Sequence, residues 1–194
     1  EPHAGLAAIE RFLLERHLPY SLLVPGQEES LPSFACVIVP DAECLSDATA
    51  TTLKNYAEAG GGLLITGTTG RCDGWRRPRA KPALAECFGE AYPSPAQVTC
   101  GQGRAAYIPC LKNEPALAEA LRFALGEQPL CTAAQAGRFS VTHYRLPSGA
   151  QTIHLVASPR SAVQGLEVSL DCEQAPQEVL LYAPGQPPRG LSFS

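Results

Sequence analysis

The chain has 194 residues, a hydrophobic share of 45% and a charged share of 18%, a composition that fits a folded globular protein and excludes a disordered one. Its formal net charge of −4 gives no electrostatic reason to expect a nucleic-acid partner. No apolar run approaches the roughly 18 residues of a membrane-spanning helix. We therefore expect no membrane partner and a cytoplasmic location. Residue 1 is Glu and the sequence contains no Met, so we expect it to begin at a domain edge.

The cysteine pattern argues against a metal or redox motif. None of the eight cysteines belongs to a Cys-x-x-Cys pair, so zinc-ribbon and thioredoxin-like proteins are not indicated. The chain is long enough to build a core without disulfides, and we expect reduced thiols. They are Cys36, Cys44, Cys72, Cys87, Cys100, Cys110, Cys131 and Cys172.

The first third of the chain predicts alternating helices and strands. Apolar residues at helical spacing predict a helix over 4–17, and short apolar runs predict strands over 20–24 and 35–39. Ser46 is a helix N-cap residue, and the following helix ends near residue 59. Three glycines then lead into a buried strand over 63–66, which is followed by a glycine turn. Such continuous apolar strands are typical of a parallel sheet that helices cover on both faces.

The middle of the chain begins with a polar excursion over 71–81 that carries the only Trp. A short helix over 82–88, a strand over 104–109 and a helix over 115–125 follow.

Beyond residue 129 the pattern changes to short strands at about hairpin spacing, predicted over 141–146, 152–157, 166–171 and 178–183. We therefore predict an α/β domain over 1–129 and a small antiparallel β-sandwich-like domain over 130–194. The second part is small for an independent core. We expect it either to pack on the first part or to continue beyond this sequence.

The order of these segments resembles a known domain. The sequences LPSFACVIVPDAECLSDATATTLKNYAEAGGGLLITGTTG, ALAECFG, GQGRAAYIP and TIHLVAS resemble the glutamine-amidotransferase-like domain of family 42 type β-galactosidases and related glycosidase-like proteins. That domain is often called the trimerisation domain. The resemblance covers about residues 4–184, and its most specific parts are 56–70 and 83–89 taken together.

The resemblance implies a flavodoxin-like three-layer α/β/α fold followed by a small antiparallel β part. In catalytic relatives a Cys follows the central strand and a His partner completes the site. Here that position falls on Gly67, or on Thr66, and there is no His between His17 and His143. We therefore expect no catalytic residue, no cofactor and no metal site. The resemblance implies a scaffold module that self-associates as a trimer or dimer and follows an upstream catalytic barrel.

Two alternatives concern the end of the central strand. Thr66, Gly67, Thr68 and Thr69 are predicted ligand-binding residues, because their hydroxyls and backbone lie where ligands bind in α/β sheets. The competing interpretation is a turn satisfied by its own hydroxyls. A relocated hydrolase-like or amidotransferase-like site near Thr68 and Cys72 is a second hypothesis. Arginine neighbours are expected to lower the pKa of Cys72, although a nucleophile also needs a base.

The arginine-rich excursion is a predicted interface, because arginine around an exposed aromatic is typical of interface hot spots. Its residues are Arg71, Trp75, Arg76, Arg77 and Arg79, with Lys81 beside them. Sugar binding by Trp75 and the C-terminal strands is a third hypothesis, and a solvated loop whose arginines pair with acids is the plain alternative. His143 and His154 could approach across a hairpin, but two histidines make a weak metal site. Gly101-Gln102-Gly103 lacks the Lys-Ser/Thr of a phosphate loop.

Overall fold

The computed structural model describes residues 4–24, 26–88, 94–126, 131–133, 139–157, 165–170 and 175–193. The elements of the first part are α1 (Ala4–Glu15), a 3₁₀ turn (Glu28–Ser33), β1 (Cys36–Val39), α2 (Asp47–Glu58), β2 (Gly62–Thr66), α3 (Ala85–Phe88), β3 (Ala96–Cys100), β4 (Gly103–Ile108) and α4 (Glu114–Leu125). No helix among these residues is long and apolar enough to cross a bilayer.

Strand β2 lies inside the main sheet, whose described strands are ordered β1-β2-β4-β3. It pairs in parallel with β1 on one side and with β4 on the other, while β3 joins β4 antiparallel. Every residue of β2 is buried. This continuous apolar burial is what a parallel strand covered on both faces requires.

Helices cover both faces of the sheet. Leu64 of β2 points to one face and packs with α1 and α4, including Phe12 and Leu117. Leu63 and Ile65 point to the other face and pack with α2, including Leu53. The predicted α/β class is confirmed: helices flank a mainly parallel sheet, and small antiparallel sheets follow it.

Local signals set the ends of two helices. The Ser46 side chain accepts a hydrogen bond from the Thr49 N–H and caps α2, as predicted. Asn113 caps α4 in the same way through the Ala116 N–H. Gly126, with φ +75°, follows the last residue of α4, a conformation that glycine adopts with little strain.

The later residues form antiparallel pairs: β5 (Cys131–Ala133) with β8 (Val168–Leu170), β6 (Phe139–Arg145) with β7 (Gln151–Ala157), and β9 (Leu180–Leu181) with β10 (Arg189–Gly190). Phe139 and Val141 are the buried centre of this part. The ring of His17 stacks on Phe139 at 3.7 Å between centroids, and its Nδ1 lies 3.2 Å from the Phe139 carbonyl oxygen. The small β part therefore contacts the α/β part directly.

The strand predictions need correction at several places. Residues 20–24 form no strand, and Leu22 and Val24 are more than half exposed. Strand β3 was not predicted. Of the strand predicted over 166–171, whose last residue lies outside the described residues, 168–170 form β8, and of the strand predicted over 178–183 only 180–181 form β9. β8 pairs with β5 and β9 pairs with β10.

Candidate functional site

The candidate site is the turn that follows β2. Gly67 has φ +58°, a left-handed conformation. Its N–H donates to the Ile108 carbonyl at 2.9 Å, and its own carbonyl accepts from the Tyr107 hydroxyl at 3.0 Å. The end of β4 therefore fixes the backbone of residue 67 on both sides. This is the place at which the resemblance expects a nucleophile in catalytic relatives.

Asp41 lies against this turn from the end of β1. Its Oδ1 accepts hydrogen bonds from the Thr68 N–H at 2.8 Å and from the Thr68 hydroxyl at 2.9 Å. A Cβ added to Gly67 would lie 2.2 Å from the same Oδ1, closer than any real contact. The carboxylate thus fills the space into which a side chain at residue 67 would project. The sequence alone gives no sign of this role for Asp41, because an Asp after Pro40 is typical of an ordinary turn.

The predicted hydroxyl ligands Thr66 and Thr69 are fully buried. The Thr66 hydroxyl accepts from the Asp41 N–H at 3.0 Å, and the Thr69 hydroxyl accepts from the Ala42 N–H at 3.1 Å. The Thr69 hydroxyl also donates to the Thr66 carbonyl at 2.7 Å. These hydroxyls hold the segment after β1 against the turn. Gly67 and Thr68 are partly accessible, and ligand binding by the four residues stays a prediction.

Cys72 lies just beyond the turn, and its electrostatics differ from the expectation. Desolvation raises the pKa of its thiol, as do the charges of Glu43, Cys44 and Asp73, and only Arg76 opposes them. The expected lowering of this pKa is therefore wrong. Since the thiolate is the nucleophile, these surroundings make Cys72 less reactive than an ordinary cysteine. The groups that act on it are acids, a thiol and a cation, with no histidine among them.

Residues 71–79 form an ordered loop, here called the Trp75 loop. Two backbone hydrogen bonds join its two arms. The Asp73 N–H donates to the Arg77 carbonyl at 3.0 Å, and the Arg79 N–H donates to the Arg71 carbonyl at 2.8 Å. The Asp73 carboxylate accepts from the N–H groups of Trp75 and Arg77 and pairs with the Arg77 Nε at 2.7 Å. These hydrogen bonds, that from the Arg77 N–H foremost, lower the pKa of Asp73.

The Trp75 loop presents its aromatic ring to solvent. Trp75 is 83% exposed, and the side chains of Arg76 and Arg77 are 82% and 74% exposed. Arg79 differs, because it donates to the Leu45 carbonyl at 2.9 Å and pairs with Asp47 at 2.6 Å. Arg71 is exposed as well. Of the predicted interface residues, Arg71, Trp75, Arg76 and Arg77 therefore lie at the surface, while Arg79 anchors the loop to the start of α2.

The two C-terminal histidines do not converge. His143 pairs with Ile153 and His154 pairs with Thr142 in the β6–β7 register. Because successive residues of a strand point to opposite faces, the two imidazoles lie on opposite faces of the hairpin. His143 bonds to the Gln151 side chain at 2.8 Å, and His154 meets the Tyr144 ring edge-on. Across the described residues no cluster of three or more metal-ligand side chains occurs.

Comparison with known proteins finds similar solved structures but no match by sequence. No protein-family model and no curated protein matches the sequence. A catalytic mutant of Gan42B, a GH42 β-galactosidase from G. stearothermophilus, matches 74% of this chain with a TM-score of 0.58 at 18% identity. The β-galactosidases from Rahnella sp. R3 and Bacillus circulans sp. alkalophilus match 84% and 74% of it, each with a TM-score of 0.60 at 12% identity.

Identities this low show that the fold is shared. The chain spans 29% to 36% of the length of these neighbours, about a third of each. These three structural neighbours are β-galactosidases, and the similarity concerns one part of each.

Proposed function

We propose that this chain is a non-catalytic, amidotransferase-like module of a carbohydrate-processing, β-galactosidase-like enzyme. Its role is to hold protein chains together. The fold of the neighbouring β-galactosidases supports this proposal, as does the resemblance carried by residues 56–70 and 83–89. In this proposal the catalytic barrel lies upstream in the same protein.

One observation carries the non-catalytic part of the proposal. At the end of β2, residue 67 is a glycine whose side-chain space is taken by the Asp41 carboxylate. A covalent mechanism needs a nucleophile with a base within hydrogen-bond reach. The turn offers backbone, buried threonine hydroxyls and a carboxylate that is engaged with Thr68. The geometry therefore favours a structural use of this turn.

The scaffolding part rests on the Trp75 loop. Trp75 is 83% exposed, and hydrogen bonds within the loop already fix its backbone, so a partner that covers the ring need not order the loop backbone. Tryptophan and arginine are, with tyrosine, the residues enriched at interface hot spots. We therefore propose that Trp75, Arg76 and Arg77 contact a second copy of this chain.

An activity assay tests the first part. The purified chain is offered glutamine, an activated ester and an aryl galactoside, and no turnover above a heat-treated sample is expected. Turnover that is abolished by Cys72→Ala would favour the relocated enzyme near Thr68 and Cys72 and would overturn the proposal.

Sedimentation tests the second part. The parent chain is expected to self-associate as a dimer or trimer, and Trp75→Ala is expected to weaken that association at least tenfold, which corresponds to about 1.4 kcal/mol. Tyr182→Ala is the matched control, because Tyr182 is an aromatic that is 70% exposed elsewhere. A parent chain that stays monomeric at high concentration, or equal weakening in both variants, would contradict the interface.

A second candidate function is sugar binding, favoured by the same exposure of Trp75. An exposed indole can stack on the apolar face of a sugar ring. Trp75 is the only tryptophan, so its fluorescence reports on this loop alone. Titration with a panel of galactosides is expected to leave the emission unchanged if the loop is a protein interface, and a saturable change would favour the sugar-binding module.

A further inference from the structure

Cys44 and Cys72 face each other across a short backbone bridge at the base of the Trp75 loop. The two residues are partners in an isolated parallel β-bridge. Two hydrogen bonds fix that pairing: the Leu45 N–H donates to the Cys72 carbonyl at 3.0 Å, and the Cys72 N–H donates to the Glu43 carbonyl at 2.9 Å. Cys44 comes from the segment between β1 and α2, whereas Cys72 opens the Trp75 loop.

Bridge partners lie at a spacing that suits a disulfide. Neighbouring strands are about 4.8 Å apart, and disulfides join residues whose Cα atoms are about 4.4–6.8 Å apart. Paired residues of a parallel bridge also project their side chains toward the same side. Both residues carry free thiols in this structure, and both are partly exposed.

We propose that Cys44 and Cys72 are a redox modification site, which small-molecule disulfides such as oxidised glutathione convert into a disulfide that closes the base of the Trp75 loop. This inference is independent of the proposed function, because it requires only the local backbone geometry. Cys44 lies in the segment before α2 and Cys72 lies at the start of the Trp75 loop, so the bond fixes the position of Trp75 relative to the sheet.

The chemistry is two successive thiol–disulfide exchanges. One cysteine thiolate attacks a sulfur of oxidised glutathione, forms a mixed disulfide and releases one glutathione thiolate. The thiolate of the other cysteine then attacks the protein sulfur of that mixed disulfide and releases the second glutathione. The two cysteines lose two protons and two electrons, and one oxidised glutathione is reduced to two molecules of glutathione.

The surroundings distinguish this pair from the other described thiols. Burial raises the pKa of Cys36 to about 12 and that of Cys87 to about 12, so neither forms a thiolate readily in the folded protein. Cys87 lies beside Cys100, but both are buried in the core. Cys110 is exposed and serves as an accessible reference. Because the pKa of Cys72 is also raised, the exchange is expected to accelerate as the pH rises above neutrality.

Mass spectrometry tests the site. The full chain is incubated near pH 8 with a mixture of oxidised and reduced glutathione, free thiols are then alkylated, and the digest is searched for crosslinked peptides. The expected product is about 2 Da lighter before alkylation, as two hydrogens are lost, and carries Cys44 linked to Cys72. Cys110 is expected to carry either glutathione or the alkylating group.

Variants and stability complete the test. Cys44→Ser is expected to leave Cys72 with glutathione or the alkylating group and no crosslink, whereas Cys110→Ser is expected to keep the crosslink. The oxidised parent chain is expected to melt several degrees higher than the reduced one, since a crosslink restricts the unfolded chain. Two results would overturn the proposal: a crosslink confined to Cys87 and Cys100, or Cys44 and Cys72 still fully alkylated after oxidation of Cys110.

Discussion

Gly67 and Asp41 share one small volume at the end of β2. The glycine provides the φ of +58° that the turn needs, and the carboxylate of Asp41 lies where its side chain would be. Either feature alone would make a side chain at residue 67 lower the free energy of unfolding. Together they predict that the two positions are energetically coupled.

Gly67→Ala tests that coupling. The left-handed backbone and the displaced carboxylate are each expected to cost about 1–3 kcal/mol of unfolding free energy. In an Asp41→Gly background the added methyl has room, so the cost of Gly67→Ala is expected to fall by about 1 kcal/mol or more. Denaturant unfolding of the two single variants and the double variant measures both quantities.

Gly149→Ala is the matched control for this cycle. Gly149 has φ +84° with no other atom within 4 Å of an added Cβ. It is expected to show the backbone cost alone and no coupling to Asp41→Gly. Additive effects at residues 67 and 41 would contradict the shared volume.

Asp73 predicts a pH dependence for the Trp75 loop. Its pKa lies below the ordinary value of 3.8, so its carboxylate stabilises the loop fully above that value. The stabilisation is lost as the pH falls through the lower folded pKa. Time-resolved anisotropy of Trp75 is expected to show faster local motion below about pH 3.8, with circular dichroism monitoring global unfolding.

Asp73→Asn is the control for that titration. The amide keeps one acceptor oxygen but loses the charge, so local motion of Trp75 is expected to be faster already at neutral pH and to change little on acidification. An unchanged anisotropy in this variant would show that the backbone hydrogen bonds of the loop suffice.

At the scale of elements, β2 packs against the helices on both faces of the sheet. Leu64 contacts the α1 and α4 side and is fully buried. Leu64→Ala is expected to cost about 2–5 kcal/mol of unfolding free energy, because it removes a buried side chain and leaves a cavity. Chemical denaturation measures the loss.

Leu22→Ala is the same truncation at a leucine that is 55% exposed. It is expected to change stability by less than about 0.5 kcal/mol. Similar losses in the two variants would contradict the assignment of Leu64 to the core and of Leu22 to the surface.

The elements with strong local signals could be predicted from sequence. Buried β2, the Ser46 cap and α4 all follow from apolar spacing and capping residues. The segment 20–24 could not, because its apolar run resembles a strand and whether such a run pairs depends on distant neighbours. Asp41 could not either, since its role arises from contact with Thr68, 27 positions later.

At the scale of the whole molecule, His17 joins the two parts of the chain. It is 4% exposed, and it contacts Phe139 of β6 both by stacking and through the Phe139 carbonyl. The domain boundary near residue 129 stays a prediction. Whatever its position, this contact couples β6 to the end of α1.

His17→Ala is expected to loosen the β6–β7 hairpin more than the main sheet. A hydrogen bond contributes about 1 kcal/mol and an aromatic pair about 0.5–1.5 kcal/mol. Amide exchange over 139–157 is therefore expected to accelerate roughly tenfold or more, with β2 little changed. Leu14→Ala, at an exposed position of α1 three residues earlier, is the control. Equal acceleration in both variants would contradict the link.

The position of the Asp41 carboxylate also limits how this protein could change in the future. A thiol introduced at residue 67 by one mutation would meet an acid that resists its ionisation and leaves it no room. Removing the acid first would release Thr68 from its hydrogen bonds. Neither single step is neutral, so acquiring a nucleophile at this turn requires paired mutations.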